Sequence, residues 1–213
     1  MFYNTASKDH NLPHDPFKSC VAPRPIGWIS TVSASGQPNV APYSFFNGIA
    51  SSPPQVMYST NGMQAHGPKD TLNNIRETGE FVVNVATWDL RDAMNLTSQP
   101  ASPDIDKFAL AGLTPEPSQL LKAPRIGQSP INMECRLINI IDLPSDDASQ
   151  PNTLVLGHVV GIHIDDSILT DGMIDNTKLR LISRLGYKDY ACVENTFSMD
   201  RPKGGNTPAG GAR

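Results

Sequence analysis

Cysteine is scarce and scattered in this chain of 213 residues: Cys20, Cys135 and Cys192 are far apart, odd in number, and form no C-x-x-C pair. That spacing gives no support to a zinc knuckle or a dithiol redox centre and reads as reduced cytosolic thiols. No eighteen apolar residues follow one another, and Met1 to His14 carries Lys8, Asp9 and His10 where a secretory leader needs an apolar run. A soluble, cytoplasmic protein away from the membrane is expected. Clustered positive charge is missing as well. With a formal net charge of -4 and no Lys/Arg run, the chain carries no electrostatic footprint for nucleic acid.

The common catalytic signatures are absent too. There is no G-x-G-x-x-G, no G-x-x-x-x-G-K-[ST], no G-x-S-x-G and no H-E-x-x-H, so dinucleotide-fold, triphosphate-loop, serine-hydrolase and zincin readings lose their usual support. His10, His14 and His66 are scattered. His158 and His163 stand an odd number apart on an expected strand, which puts them on opposite faces. No metal site is expected.

What is present is β-structure with a helical excursion. A length of this order buries a core without disulfides. Residues 1–17 read as an irregular arm, 18–200 as one domain, and 201–213, rich in Gly, Pro, Asn and Ala, as a disordered tail. Ile26–Ser33 and Asn39–Phe46 flank the turn Ser35-Gly36-Gln37-Pro38 and predict an antiparallel hairpin. Gln55–Thr60 predicts a short buried strand. Lys69–Gly79 predicts a helix capped by Asp70 or Thr71, with Leu72 and Ile75 on one face and Gly79 at its end. The strand Glu80–Ala86 follows. Trp88–Ser98 predicts a second helix with Leu90, Met94 and Thr97 inward, and Gln99–Asp106 is a Pro-broken loop. Ile131–Leu143 and Thr153–Asp165 predict a long hairpin. Strands outnumber helices without β-α-β alternation, so a mainly β fold, a barrel with inserted helices, is expected.

Two segments carry candidate chemistry. At Lys69-Asp70-Thr71 a helix start offers unpaired N–H groups and a positive dipole end, and Lys69 and the Thr71 hydroxyl would add a charge and a donor for a phosphate. The same residues also read as a plain surface cap with a solvated lysine. The hairpin from Arg24 to Asn47 sets small polar residues beside aromatics. A flat flavin wants such contacts on its faces and a few donors at its edge. An ordinary amphipathic hairpin has the same pattern.

The run RPIGWISTVSASGQPNVAPYSFFNGIASSPP, followed by KDTLNNIRETGEFVVNV, resembles the flavin reductase-like family of FMN-binding split-barrel proteins. DKFALAGLTPEPS, SPINMECRL, LVLGHVVGIHIDD and SRLGYKDY continue the resemblance, which covers residues 17 to 190. It implies a Greek-key FMN-binding split β-barrel that pairs into a homodimer, with one FMN per subunit near the interface. Carried over by position, Ser30 and Thr31 lie on the strand approaching the flavin. Ala41, Pro42, Tyr43, Ser44, Phe45 and Asn47 line its ring, and Ser59 and Asn61 end the next strand. Lys69, Asp70 and Thr71 receive the phosphate, and Arg184 neighbours the cofactor or the other subunit.

The family implies an oxidoreductase that passes electrons from NADH or NADPH through bound FMN to free flavin, oxygen or a partner oxygenase, with no obligatory catalytic side chain. The resemblance leaves open a flavoredoxin-like carrier served by an electron-transfer protein, a non-catalytic FMN-binding protein, and a pyridoxamine-phosphate oxidase-like enzyme. RPIGWIST and NVAPYSFF favour the flavin reductase branch over the last.

Overall fold

The structure, a computed structural model, describes residues 1–65, 67–102 and 105–202. His66, two residues of the loop at 99–106, and all of the expected tail except Arg201 and Pro202 lie outside the described residues.

Seven strands form one antiparallel sheet: β1 (Gly27–Val32), β2 (Pro38–Tyr43), β3 (Phe46–Ser51), β4 (Pro54–Asn61), β5 (Glu80–Val85), β6 (Ile131–Leu143) and β7 (Asn152–Ile164). Their order is β2-β1-β5-β6-β7-β4-β3. The expected β1–β2 and β6–β7 hairpins are both present. Gly36, at φ +90°, makes the first turn, a conformation that costs glycine nothing. The sheet curls so that β2, at one end, packs across the interior against β4, next to the other end. Tyr43 on β2 and Tyr58 on β4 have ring centroids 4.7 Å apart, and Ile29, Val56, Phe81, Val83, Cys135 and Val155 fill the interior with them.

Alternation explains which side chains go where. On β4, Val56, Tyr58 and Thr60 point inward and are buried, while Ser59 and Asn61 take the other face. β1 is buried on both faces because a second layer covers its outside. There Trp28 packs with Val40, Met94, Phe108 and Ile126, and its indole N–H donates a 2.9 Å bond to Thr97 Oγ1. That layer holds α2 (Arg91–Leu96) and α3 (Lys107–Leu110).

Helix α1 (Asp70–Thr78) packs Leu72 and Ile75 into the barrel cluster, a burial that stabilises by roughly 1.5–3 kcal/mol for each side chain. Gly79 ends it in the left-handed region at φ +72°, as expected. Its start differs from expectation: Lys69 occupies the N-cap position, no side chain caps the helix, and Asp70 is already helical.

Other differences are local. α2 is shorter than Trp88–Ser98 because the Trp88 N–H bonds to the Arg180 carbonyl at 2.9 Å instead of starting a helix. β3 is a separate edge strand, where the sequence reading runs one strand on to Phe46. A register shift between Val159 and Gly161 falls between His158 and His163, so strict alternation does not carry from one to the other.

Two further pieces frame one end of the barrel. A small sheet pairs residues 24–25 with Ile182–Arg184, and the latter with Tyr190–Cys192. Segment 118–124 is strapped to the barrel by buried carboxylates. Glu134 accepts the N–H groups of Gln119 and Leu120 at 2.7 and 2.8 Å, and Glu80 accepts those of Lys122 and Ala123 at 2.6 and 2.9 Å. Among the described residues no helix is long and apolar enough to cross a membrane, and no cluster of ligands suited to a metal occurs.

Candidate functional site

A cleft of about 850 Å³ opens where the ends of β2 and β4, the start of α1, α2 and the small sheet converge. β2 delivers Pro42 and Tyr43, and the link to β3 delivers Ser44 and Phe45. The outward face of β4 gives Ser59 and Asn61, the N-cap of α1 gives Lys69, and the small sheet gives Arg184. These eight of the expected site residues come together.

The other six do not line the cleft. Ser30 is fully buried and donates to the Pro124 carbonyl at 2.5 Å while accepting from Asn84. Thr31 Oγ1 accepts from Asn74 Nδ2 at 3.0 Å. Thr71 Oγ1, also buried, accepts from Asn39 Nδ2 at 2.9 Å. These hydroxyls brace the hairpin against its neighbours. Ala41 packs against the barrel core, Asn47 accepts the N–H of Gly48, and Asp70 forms the first turn of α1.

The charge of the cleft differs from that of the chain. Among the described residues, Lys18, Arg24, Lys69 and Arg184 line it against a single acid, Asp15, although the chain as a whole is net -4. Arg24 is 5% exposed, and its guanidinium bonds to the carbonyls of Lys18, Val21 and Leu185. Its Nε is buried without a partner among the described residues. Burial and then Arg184, its antiparallel partner, lower the Arg24 pKa. The Lys69 ammonium lies 5.7 Å from the Tyr43 ring centroid. Its pKa is lowered first by burial and then by Lys107. Lys107 is itself 4% exposed, and its ammonium makes a long 3.5 Å contact with the Thr97 carbonyl. Burial pushes the Tyr43 phenol up to about 12, with the Thr71 and Thr60 hydroxyls opposing, so it stays protonated at neutral pH.

Sequence reasoning missed Arg24 as a cleft residue, along with Phe17, Met94, Asn95, Tyr187 and Tyr190. Arg24 opens the quoted hairpin motif, which was the available signal. The others sit in segments that only folding brings together.

A cleft of this size, with aromatic walls, four cations and an orphaned guanidinium N–H, suits an aromatic ligand bearing a phosphate. FMN meets that description. Fold and cleft together define a flavin reductase-like split barrel. The chain belongs to the flavin reductase like domain family, whose model matches residues 19–182. An uncharacterized protein of Halalkalibacterium halodurans is 37% identical over 182 residues, 85% of this chain and 87% of its own length. Component B of nitrilotriacetate monooxygenase from Bacillus cereus is 31% identical, with a TM-score of 0.84 over 93% of this chain and 98% of that one. The 2-nitrobenzoate 2-nitroreductase of Pseudomonas fluorescens is 25% identical, with a TM-score of 0.82 over 98% and 100%.

Proposed function

We propose that this protein binds FMN in the 850 Å³ cleft and is an oxidoreductase of the flavin reductase type, drawing on NADH or NADPH. The observation that carries the reading is the gathering of Lys18, Arg24, Lys69 and Arg184 among aromatic walls in an acidic chain. Lys69, at the uncapped start of α1, receives the phosphate, where helix N–H groups and the helix dipole add to its charge. The buried Lys107 ammonium behind it reinforces the field. Tyr43 and Phe45 offer ring contacts, and the backbone N–H groups around Tyr43 to Phe46 lie where charge at a flavin edge is stabilised.

When bound, the flavin supplies the electron chemistry, accepting from a nicotinamide nucleotide and giving to free flavin, oxygen or a partner oxygenase. The chain's residues hold and orient it. In this reading the protein works in the cytoplasm, in keeping with three free cysteines, and as a homodimer. The long β6–β7 hairpin exposes Ile138, Ile141, Ile162 and Ile164, an apolar surface that a second copy would cover.

Anaerobic mixing of FMN-loaded protein with NADH or NADPH tests the activity. Bleaching of the flavin absorbance by at least one of them is expected. Bleaching only by a reduced protein partner indicates a flavoredoxin-like carrier, and none by any donor indicates a binding protein.

A further inference from the structure

One wall of the cleft is built from two pieces of chain far apart in sequence. The short helix Phe17–Cys20 brings Phe17 and Lys18, and the turn that follows Arg184 brings Leu185 and Tyr187. One side chain joins them. Arg24 Nη1 donates to the carbonyls of Lys18 and Val21, the latter at 2.6 Å, and Nη2 donates at 2.8 Å to the carbonyl of Leu185, 161 residues away. The last carbonyls of a helix have no partner within it and need one from elsewhere. A planar guanidinium presents its donors in a fixed fork, which suits it to hold several carbonyls in set directions. Arg24 is itself held in place: it is buried, Arg184 is its strand partner, and its Cζ lies 5.8 Å from the Phe45 ring centroid. A second contact sets how closely the two pieces approach. Ser19, whose hydroxyl is buried without a partner among the described residues, packs against Gly186. A Cβ on Gly186 would overlap the Ser19 hydroxyl and lie 2.6 Å from Ser19 Cβ and 3.0 Å from its Cα, so even alanine at 186 pushes the pieces apart.

We propose that Arg24 is a positioning residue, a clasp that fixes the 17–21 and 185–187 segments against each other so that this wall meets the flavin as one preformed surface and retains it. The inference rests on the reading of the cleft as the flavin site. Both terminal nitrogens of Arg24 are engaged with backbone carbonyls, which gives it a different task from Lys69. A wall already in place avoids the cost of ordering two loops when the ligand arrives. Release of either piece opens the cleft on that side.

The rate at which FMN leaves the loaded protein is the readout, measured well below the unfolding temperature so that a loss of global stability alone does not change it. Arg24→Lys keeps the charge, but one ammonium cannot span carbonyls on two segments. Dissociation should speed at least about ten-fold, the factor that loss of one charge-assisted contact implies. Gly186→Ala should have a comparable effect although residue 186 does not line the cleft. Adding Ser19→Gly to it makes room for the new Cβ and should bring the rate back toward that of the wild type. A wild-type rate in Arg24→Lys or in Gly186→Ala, or no recovery in the double variant, would overturn the proposal. If Arg24→Lys does not fold, the Gly186 variants decide it. Amide exchange across 17–21 and 185–189 in the apoprotein should quicken in Arg24→Lys, and unchanged exchange would also overturn the clasp. That measurement needs no flavin, so failure of the wild type to bind FMN and failure of the clasp are separate results.

Discussion

Asn39 on β2 donates a 2.9 Å hydrogen bond from its side-chain amide to Thr71 Oγ1 in the first turn of α1. A parallel bridge, Asn74 to Thr31 at 3.0 Å, ties the same helix to β1. Both pairs are buried, where satisfied side-chain networks fix geometry more firmly than on a surface. They set where α1 begins, and so where Lys69 meets the cleft. The Thr31 and Thr71 hydroxyls are both engaged in these buried contacts.

Lys69 and Thr71 should therefore separate. Lys69→Ala is expected to weaken FMN binding by about 1.5–3 kcal/mol, the range for a charge-assisted contact. Thr71→Val should lower unfolding free energy by about 1–3 kcal/mol through an unsatisfied Asn39 amide, with a much smaller effect on FMN. Flavin titration and urea denaturation of both variants measure this, and the reverse pattern would return Thr71 to the phosphate.

Gly27 lies under the Phe46 ring. A Cβ there would sit 2.7 Å from Phe46 Cδ2 and 2.8 Å from Cγ, so the whole Phe46 ring would have to move. Gly27→Ala should cost about 1–3 kcal/mol of stability. It should also loosen FMN, since Phe45 in the cleft wall must follow its neighbour. An unchanged urea midpoint would contradict this.

The interior also sets an alkaline limit. Burial is the main cause that pushes the Cys135 thiol from 9.0 to about 12 and the Tyr43 phenol from 10.0 to about 12. Both are raised in the folded chain, which keeps protons that the unfolded chain releases. The stability they contribute is complete below pH 9.0 and is lost as pH rises toward about 12. Urea midpoints should be level up to about pH 9 and fall beyond it. In Cys135→Ala the decline should begin nearer pH 10, where the buried Tyr43 and Tyr58 phenols, both raised by burial, set the window.

Glu134 holds the 118–124 strap through two backbone N–H groups and a 2.6 Å contact with His163 Nε2. Those bonds to its charged form outweigh the opposing burial and keep its pKa low. Its contribution is present above the ordinary carboxylate range and is lost as pH falls through the folded value. Glu134→Gln should speed amide exchange at Gln119 and Leu120 while leaving β5 and β6 protected. Unchanged exchange there would place the strap's anchor at Glu80.

Much of the barrel was legible in the sequence because its cues are local. The β1 and β2 runs flank a Ser-Gly-Gln-Pro turn, and Leu72, Ile75 and Gly79 mark α1 by spacing and stop signal. β3 was not separated from β2: Phe46–Ser51 is an edge strand, nearly all exposed, whose Asn47 and Gly48 carry no alternation to read. α2 was overextended because a tertiary bond from Trp88 to Arg180 overrides local helix pattern. Tyr43, Phe45 and Lys69, taken from motif order, line the cleft. Ser30, Thr31 and Thr71, carried over by the same order, have hydroxyls engaged with Pro124, Asn74 and Asn39, contacts between distant segments that no local pattern reveals. The far wall, from Phe17, Asn95 and Tyr190, comes from segments too distant in sequence for any local pattern to join.

The central claim is that the cleft recognises an aromatic ring carrying a phosphate. Titration of the apoprotein with FMN and with riboflavin, which has the same ring and no phosphate, tests it most directly. FMN should bind at least about ten-fold more tightly, as loss of a charge-assisted contact implies, and Lys69→Ala should shrink the difference. Equal affinity for the two flavins, or binding of neither, would contradict the account.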